Sequence, residues 1–156
     1  MNFDYEINLL SKNFIDDYPA SSFPELMHKQ GRPYNCLLIE THEGYFICVP
    51  FRSNINHNNA YFFKRTKRSK ISKSGLDYSK LLIIKDSKYF DSKKAIVDSD
   101  EYSETVKNIN KIVREVLDFV DKYVAHISGK KILDKREFER KYKFSTLKYF
   151  HEELGL

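Results

Sequence analysis

An arginine, a serine and a histidine follow closely on an apolar run, in the segment Pro50-Phe51-Arg52-Ser53 and then at His57. A guanidinium offers planar donors that match phosphate oxygens, and a neighbouring hydroxyl can add one more hydrogen bond. Histidine titrates near neutral pH and can therefore move a proton during phosphodiester cleavage. Arg52, Ser53 and His57 are thus candidate catalytic residues, although each is also typical of an ordinary polar loop.

A cationic stretch follows these residues, and no Asp or Glu lies between Gly44 and Leu76. We call six of its side chains the basic segment: Lys64, Arg65, Lys67, Arg68, Lys70 and Lys73. Three aromatic residues precede it, and aromatic rings beside cations can stack unpaired bases while the cations hold the backbone. The basic segment is therefore predicted to bind RNA, with a solvated charged loop as an equally weighted alternative. Lys80 joins the RNA-binding set, whereas Asp77-Tyr78-Ser79 is interpreted as a turn before a buried strand.

Two apolar runs, Asn35 to Thr41 and Tyr45 to Pro50, predict an antiparallel hairpin, because the connector between them is short and contains a glycine. Pro50 is expected to end the second strand, since proline cannot donate to a ladder. Each run carries one cysteine. A two-residue loop would put the two thiols on opposite faces, and a three-residue loop would put them on one face but not directly opposite. Free buried thiols are predicted in either case.

Hairpin pairing would place the start of the first strand beside the end of the second. Arg32 and Tyr34 precede the first strand and would then lie near Arg52 and Ser53, in one cationic pocket with hydroxyl groups. This juxtaposition makes Arg32 a further catalytic candidate. Tyr34 becomes an RNA-binding residue that positions or stacks a base, with core packing as the alternative.

The 156 residues, 41% of them hydrophobic and 15% aromatic, predict a single folded domain over residues 1–156. The net charge of +5 is compatible with a nucleic acid or another anionic surface. No apolar stretch approaches the roughly 20 residues that cross a bilayer, and the acidic N-terminus does not resemble a signal peptide, so a cytoplasmic location is expected. No Cys/His spacing, acidic cluster or glycine-rich loop indicates a metal or cofactor.

The C-terminal third has helical periodicity, which predicts one long helix from about Glu101 to Ser128 with Gly129 as its stop. The spacing of Asp134 and Glu137 predicts a capped shorter helix, and Ser145 a last one. Strands followed by helices indicate an α+β fold, in which helices cover one side of a small antiparallel sheet or half-barrel.

The order and spacing of several segments resemble the toxins of type III toxin–antitoxin systems, in the ToxN/AbiQ-like superfamily, and more narrowly its TenpN branch. The resemblance runs from about Gly31 to Leu154. The segments that carry it are Arg32-Pro33-Tyr34, Pro50-Phe51-Arg52-Ser53, His57-Asn58-Asn59, Gly75-Leu76-Asp77-Tyr78-Ser79-Lys80, Ile83-Ile84-Lys85-Asp86, Phe138-Glu139-Arg140-Lys141-Tyr142-Lys143 and Leu147-Lys148-Tyr149-Phe150.

This resemblance implies a compact antiparallel β-core, similar to the Kid/MazF-like toxin fold, flanked by helices. It implies a metal-independent endoribonuclease whose antitoxin is a set of short RNA pseudoknot repeats, which the toxin cuts from a longer precursor and with which it forms a heteromeric assembly. The ToxN branch carries Pro-Leu-Thr-Ser where this chain has Pro50-Phe51-Arg52-Ser53, so Ser53 is retained and Arg52 replaces a threonine. A functional lysine of that branch is matched by Arg32, which is a poor general base.

The function expected is sequence-selective cleavage of single-stranded cellular RNA, by attack of a 2′-OH on its own phosphate to give a 2′,3′-cyclic phosphate. Arg52 and Arg32 would hold the phosphate, Ser53 would orient it or relay a proton, and His57 is the acid/base candidate. A non-catalytic RNA-binding module using the same basic surface is the main alternative. A third is a protein-interaction domain whose positive loop meets an acidic partner.

Overall fold

The computed structural model describes residues 4–26 and 35–156, which form seven strands and four α-helices. The strands are β1 (Tyr5–Leu10), β2 (Asn35–Glu40), β3 (Phe46–Arg52), β4 (Ala60–Phe62), β5 (Gly75–Asp77), β6 (Leu82–Ile84) and β7 (Phe90–Lys94). The helices are α1 (Lys12–Asp17), α2 (Ser99–Lys107), α3 (Ile109–Ile127) and α4 (Lys135–Tyr142). The predicted α+β class is confirmed.

All the strand pairs are antiparallel, and the sheet runs in the order β4-β5-β3-β2-β1-β7 with β6 also paired to β3. The predicted hairpin is confirmed as β2 and β3, with Cys36 opposite Pro50 and Leu38 opposite Cys48. A three-residue connector separates Thr41 from Tyr45, whose carbonyl accepts the Thr41 N–H. The two thiols therefore lie on one face, diagonal to each other, and both are buried.

Pro50 does not end its strand, contrary to the sequence-based expectation, because β3 continues to Arg52. On the edge of β3 that faces away from β2, β6 pairs with residues 46–48 and β5 with residues 51–52. Pro50 therefore lies where this second ladder is interrupted. Its missing N–H removes no ladder hydrogen bond there, which is the condition under which a sheet tolerates proline.

Close approach of β4 to β5 requires glycine at position 75. A Cβ built on Gly75 would lie 1.9 Å from the carbonyl oxygen of Tyr61, far inside van der Waals contact. Tyr61 and Phe62 pair with Leu76 and Gly75, so the constraint falls on the ladder itself. The outer edge of the sheet thus depends on the absence of a side chain at this one position.

The predicted long helix is two helices, α2 and α3, because the backbone breaks at Asn108. Asn108 has φ −111° and ψ 18°, and its side-chain amide donates to the Glu104 carbonyl at 2.9 Å. Such a local side-chain bond competes with helix continuation. The predicted stop is confirmed, since Gly129 follows α3 with φ +80°.

The helices close one continuous core over the sheet. The buried face of α3 is made of Ile112, Val113, Val116, Phe119, Val120 and Tyr123. Each fully buried aliphatic side chain contributes about 1.5–3 kcal/mol relative to an exposed one, so α3 is held by packing. The predicted caps of the C-terminal part are confirmed, because Asp134 accepts N–H groups of α4 and Ser145 caps a short 3-10 helix at Thr146–Tyr149.

Candidate functional site

The site begins with an irregularity in the strand that pairs with β3. Arg52 pairs with Gly75, and Phe46 pairs with Ile84. These two pairs are six residues apart on β3 but nine residues apart on the segment that contains β5 and β6. The three additional residues form a 3-10 turn, Tyr78–Lys80, between β5 and β6. Insertions of this kind re-aim side chains and are frequent next to active sites. Here the turn directs Asp77, Ser79 and Lys80 to the end of β3.

Asp77 is the centre of a polar cluster at this turn, and its side chain is 0% exposed. Its Oδ2 accepts from the Arg52 Nη1 at 2.8 Å, and its Oδ1 accepts from the Ser79 hydroxyl at 2.7 Å and the Ser79 N–H at 2.9 Å. The His57 Nε2 lies 3.1 Å from the same Oδ1. A buried carboxylate is tolerated only when it is paired and hydrogen-bonded, and these contacts supply both conditions. Asp77 therefore fixes three functional side chains at once.

The hydrogen bonds of His57 define its tautomer. The Asn59 N–H donates to Nδ1 at 3.1 Å, so Nδ1 is an acceptor and Nε2 carries the proton of the neutral ring. Nε2 contacts both Asp77 Oδ1 and the Ser79 Oγ, the latter at 3.2 Å. A hydrolase triad instead places its carboxylate and its serine on opposite ring nitrogens. In this arrangement neither nitrogen of His57 presents a free lone pair, so the ring is suited to positioning its neighbours.

Lys80 completes the cluster from the last position of the turn. Its Nζ donates to the carbonyl of Phe144 at 3.2 Å. Burial lowers the pKa of this ammonium, the Asp77 carboxylate opposes that shift, and the Arg52 charge reinforces it. A lysine with a lowered pKa is a better proton acceptor near neutral pH than an exposed one.

These side chains line an open cleft of about 570 Å³, which we call the turn cleft. Its wall includes Arg52, His57, Ser79 and Lys80 from the cluster, and Arg140 and Lys141 from α4. Glu25 also lies in the wall, but its carboxylate accepts from Lys148 at 2.7 Å and from the Tyr149 hydroxyl. Four cations thus face a space of the size that ligand sites occupy, which suits a phosphate-bearing ligand.

Ser53 lies outside this cluster. Its Oγ accepts from the Arg68 Nη1 at 3.4 Å, and it is not in the wall of the turn cleft. Arg68 in turn contacts Asp98 at 3.3 Å and Glu101 at 3.9 Å. Of the adjacent candidates Arg52 and Ser53, the structure therefore brings only Arg52 to His57.

Carboxylates of α2 hold the backbone of the basic segment, although that stretch contains no acidic residue itself. Glu104 accepts from the Lys64 N–H at 3.0 Å, the Arg65 N–H at 2.8 Å and the Tyr61 hydroxyl at 2.8 Å. Asp100 accepts from the Lys67 N–H at 2.8 Å. These bonds use the backbone donors and leave the charged ends exposed at Lys64, Arg65, Lys67, Lys70 and Lys73. The segment is therefore an ordered cationic surface.

Arg32 and Tyr34 lie outside the described residues, so their predicted approach to the end of β3 stays a prediction. The structure does show the pairing on which it was based. Cys36 lies opposite Pro50, which places the start of β2 beside the end of β3.

Sequence reasoning missed Asp77, Ser79, Arg140 and Lys141 as site residues. An available signal was the pattern Asp77-Tyr78-Ser79, since an aspartate that caps its own turn two residues on is a recognisable local motif. The approach of α4 had no such signal. It depends on a tertiary contact, in which the Asn59 side chain donates to the Lys141 carbonyl at 3.2 Å.

Comparison with known proteins gave no matching family model, curated protein or solved structure. Within residues 4–26 and 35–156, no group of three or more His, Cys, Asp or Glu side chains is arranged to hold a metal ion. None of the helices described is both long and apolar enough to cross a membrane.

Proposed function

We propose that this protein is a cytoplasmic endoribonuclease toxin of the type III toxin–antitoxin kind, which cleaves single-stranded RNA and is inhibited by a pseudoknot RNA antitoxin. The observation that carries the proposal is the buried Asp77, which orients Arg52 and His57 at a cleft lined by Lys80, Arg140 and Lys141. A rigid guanidinium among further cations suits a phosphodiester whose charge rises during reaction. The segment resemblance adds the type of RNA partner and the absence of a metal requirement.

In the proposed reaction, a ribose 2′-oxygen attacks the adjacent phosphorus as its proton passes to a base. The bond from phosphorus to the 5′-oxygen breaks, and an acid protonates that oxygen. The products are a 2′,3′-cyclic phosphate and a 5′-hydroxyl, so no atom is needed from water in this step. The turn cleft offers Arg52 to bind the phosphate and Lys80 to move a proton, with His57 and Ser79 holding the geometry through Asp77.

One observation favours the alternative, a non-catalytic RNA-binding module. Both ring nitrogens of His57 are engaged by neighbouring protein groups. Acid/base chemistry in the cleft therefore depends on Lys80. If Lys80 does not transfer protons, the same cations bind RNA without cutting it.

The test is cleavage of single-stranded RNA by purified protein in the presence of EDTA, with products analysed for a cyclic phosphate end. Loss of one transition-state donor lowers rates by about 100- to 1,000-fold, so Arg52→Ala should nearly abolish cleavage. Arg114→Ala is the matched control, because this exposed arginine of α3 bonds its own helix and should leave the rate unchanged. Tight RNA binding without cleavage by the wild-type protein would favour the binding module.

The antitoxin part of the proposal has a separate test. Tandem short repeats directly upstream of the coding region are expected, and their transcript should bind the protein and block cleavage. A coding region without such repeats would count against the toxin–antitoxin assignment while leaving the cleavage proposal standing.

A further inference from the structure

A second cavity, of about 880 Å³, lies between residues 61–65 and the helices α2 and α3, and we call it the α2 groove. It shares no wall residue with the turn cleft. Residues of the two walls lie close in sequence, since Asn59 lines the turn cleft and Tyr61 lines the α2 groove. None of the groove's residues from α2 or α3 was among the sequence-predicted sites.

Cations lie on both walls of the α2 groove. Lys64 and Arg65 come from the basic segment, and Lys107 and Lys111 come from α2 and α3. All four are exposed, and in the part of the chain that the structure describes none of their side chains forms an ion pair within 4.0 Å. Four unpaired cations around one concavity raise the local concentration of anions.

Two carboxylates, Glu104 and Asp100, also line the groove, and both accept hydrogen bonds from neutral groups. Glu104 accepts from a tyrosine hydroxyl and two backbone N–H groups. Asp100 accepts the Lys67 N–H through Oδ2 and the Glu101 N–H through Oδ1. They fix the wall and keep their negative charges, but the four cations outnumber the two carboxylates, so the formal charge of the wall is +2.

Aromatic surface in the groove suits an unpaired base. The Tyr102 side chain is 50% exposed at the groove wall. The Lys111 Nζ lies 5.9 Å from the centre of the Tyr61 ring, which places a cation beside a second aromatic side chain. Stacking platforms next to backbone-binding cations are the combination by which proteins hold single-stranded nucleic acid. A double helix keeps its bases stacked inside and would leave the exposed tyrosine without a partner.

We propose that the α2 groove binds single-stranded RNA at a second site, with Lys107 and Lys111 on phosphates and Tyr102 against a base. This inference does not require the turn cleft to be catalytic. It adds a site of RNA affinity whose wall is separate from that of the turn cleft.

The experiment measures fluorescence anisotropy of a fully 2′-O-methylated single strand of about 12 nucleotides, which no 2′-OH attack can cut. Lys107→Gln with Lys111→Gln should reduce the slope of log affinity against log salt by about 1.4, two phosphate contacts at about 0.7 each. Tyr102→Ala should weaken binding by about 5- to 100-fold, the loss of one stacked base. Lys130→Gln with Lys131→Gln removes the same charge from exposed positions beyond α3 and should change little.

Three results would overturn the inference: equal losses in the two double variants, no change in slope for the groove variant, or tighter binding of a duplex of the same length. Displacement of the RNA by polyglutamate at equal charge would also overturn it and would indicate an acidic protein partner instead. Failure of wild-type protein to cleave unmodified RNA overturns the proposed function alone. Normal cleavage together with an unchanged groove variant overturns only the second site.

Discussion

Replacing Asp77 by asparagine tests how the candidate site is held together. The amide keeps an oxygen for the Ser79 N–H, so the cap of the 3-10 turn survives. It also turns an NH₂ group toward the Arg52 Nη1, which donates to Asp77 at 2.8 Å in the native protein. Two hydrogen-bond donors, the amide NH₂ and the Arg52 guanidinium, then face each other. A charge-assisted hydrogen bond is thereby lost inside a buried cluster.

The size of the effect follows from the exposure of the partners. A hydrogen bond to a charged group contributes about 1.5–3 kcal/mol to stability. Arg52 is 30% exposed, so in the variant it can recover part of this energy by bonding to water. The expected loss of stability for Asp77→Asn is therefore about 1.5 kcal/mol. Asp77→Ala also removes the cap, which adds about 1 kcal/mol. We therefore expect free energies of unfolding lowered by about 1.5 and at least 2.5 kcal/mol respectively.

Urea unfolding followed by circular dichroism measures both values. Asp86 provides a matched control, because it caps the 3-10 turn Ser87–Tyr89 in the same way, with its Oδ1 2.9 Å from the Lys88 N–H, but is 54% exposed. Asp86→Asn should be nearly neutral, and Asp86→Ala should lose only about 1 kcal/mol. If Asp77→Asn and Asp86→Asn were equally destabilising, the argument that a buried pair orients Arg52 would be refuted.

Three further predictions concern neighbouring features. Gly75→Ala should destabilise by more than about 1 kcal/mol in urea unfolding, since its Cβ would enter the Tyr61 carbonyl, and an unchanged midpoint would refute the close approach. Ser79→Ala should reduce RNA cleavage more than Ser53→Ala, because only Ser79 contacts His57 and Asp77, and the reverse order of single-turnover rates would move the site to Ser53. Lys80→Arg should abolish cleavage, since arginine does not deprotonate. In the wild type, the rate should rise with pH up to the pKa of Lys80, which burial holds below the usual lysine range, and a pH-independent wild-type rate would contradict this role.

Local patterns predicted the parts of the site that lie next to each other in sequence. The hairpin, its glycine-containing connector and the arginine at its end were all visible, because turn residues and apolar runs act over a few positions. Asp77 and Ser79 were interpreted as a plain turn before a buried strand. That turn is correct, but its carboxylate is also the partner of Arg52, 25 residues away, and sequence alone does not show such a pairing.

The surroundings of the basic segment were not visible in the sequence. This stretch contains no acidic residue, yet α2 brings Glu104 and Asp100 against its backbone. The same tertiary approach creates the α2 groove. The break at Asn108 had a local cause that sequence reasoning overlooked, because an amide within an apolar helical repeat can bond its own backbone.

The two thiols in the central hairpin allow opening of that hairpin to be measured. Cys36 and Cys48 are 1% and 0% exposed on adjacent strands, so an alkylating reagent reaches them only after β2 and β3 separate. Burial also raises the pKa of the Cys48 thiol, which keeps it in its unreactive form while the fold is closed. The rate of labelling therefore measures how often the hairpin that carries Arg52 opens. RNA bound in either cavity should lower this rate.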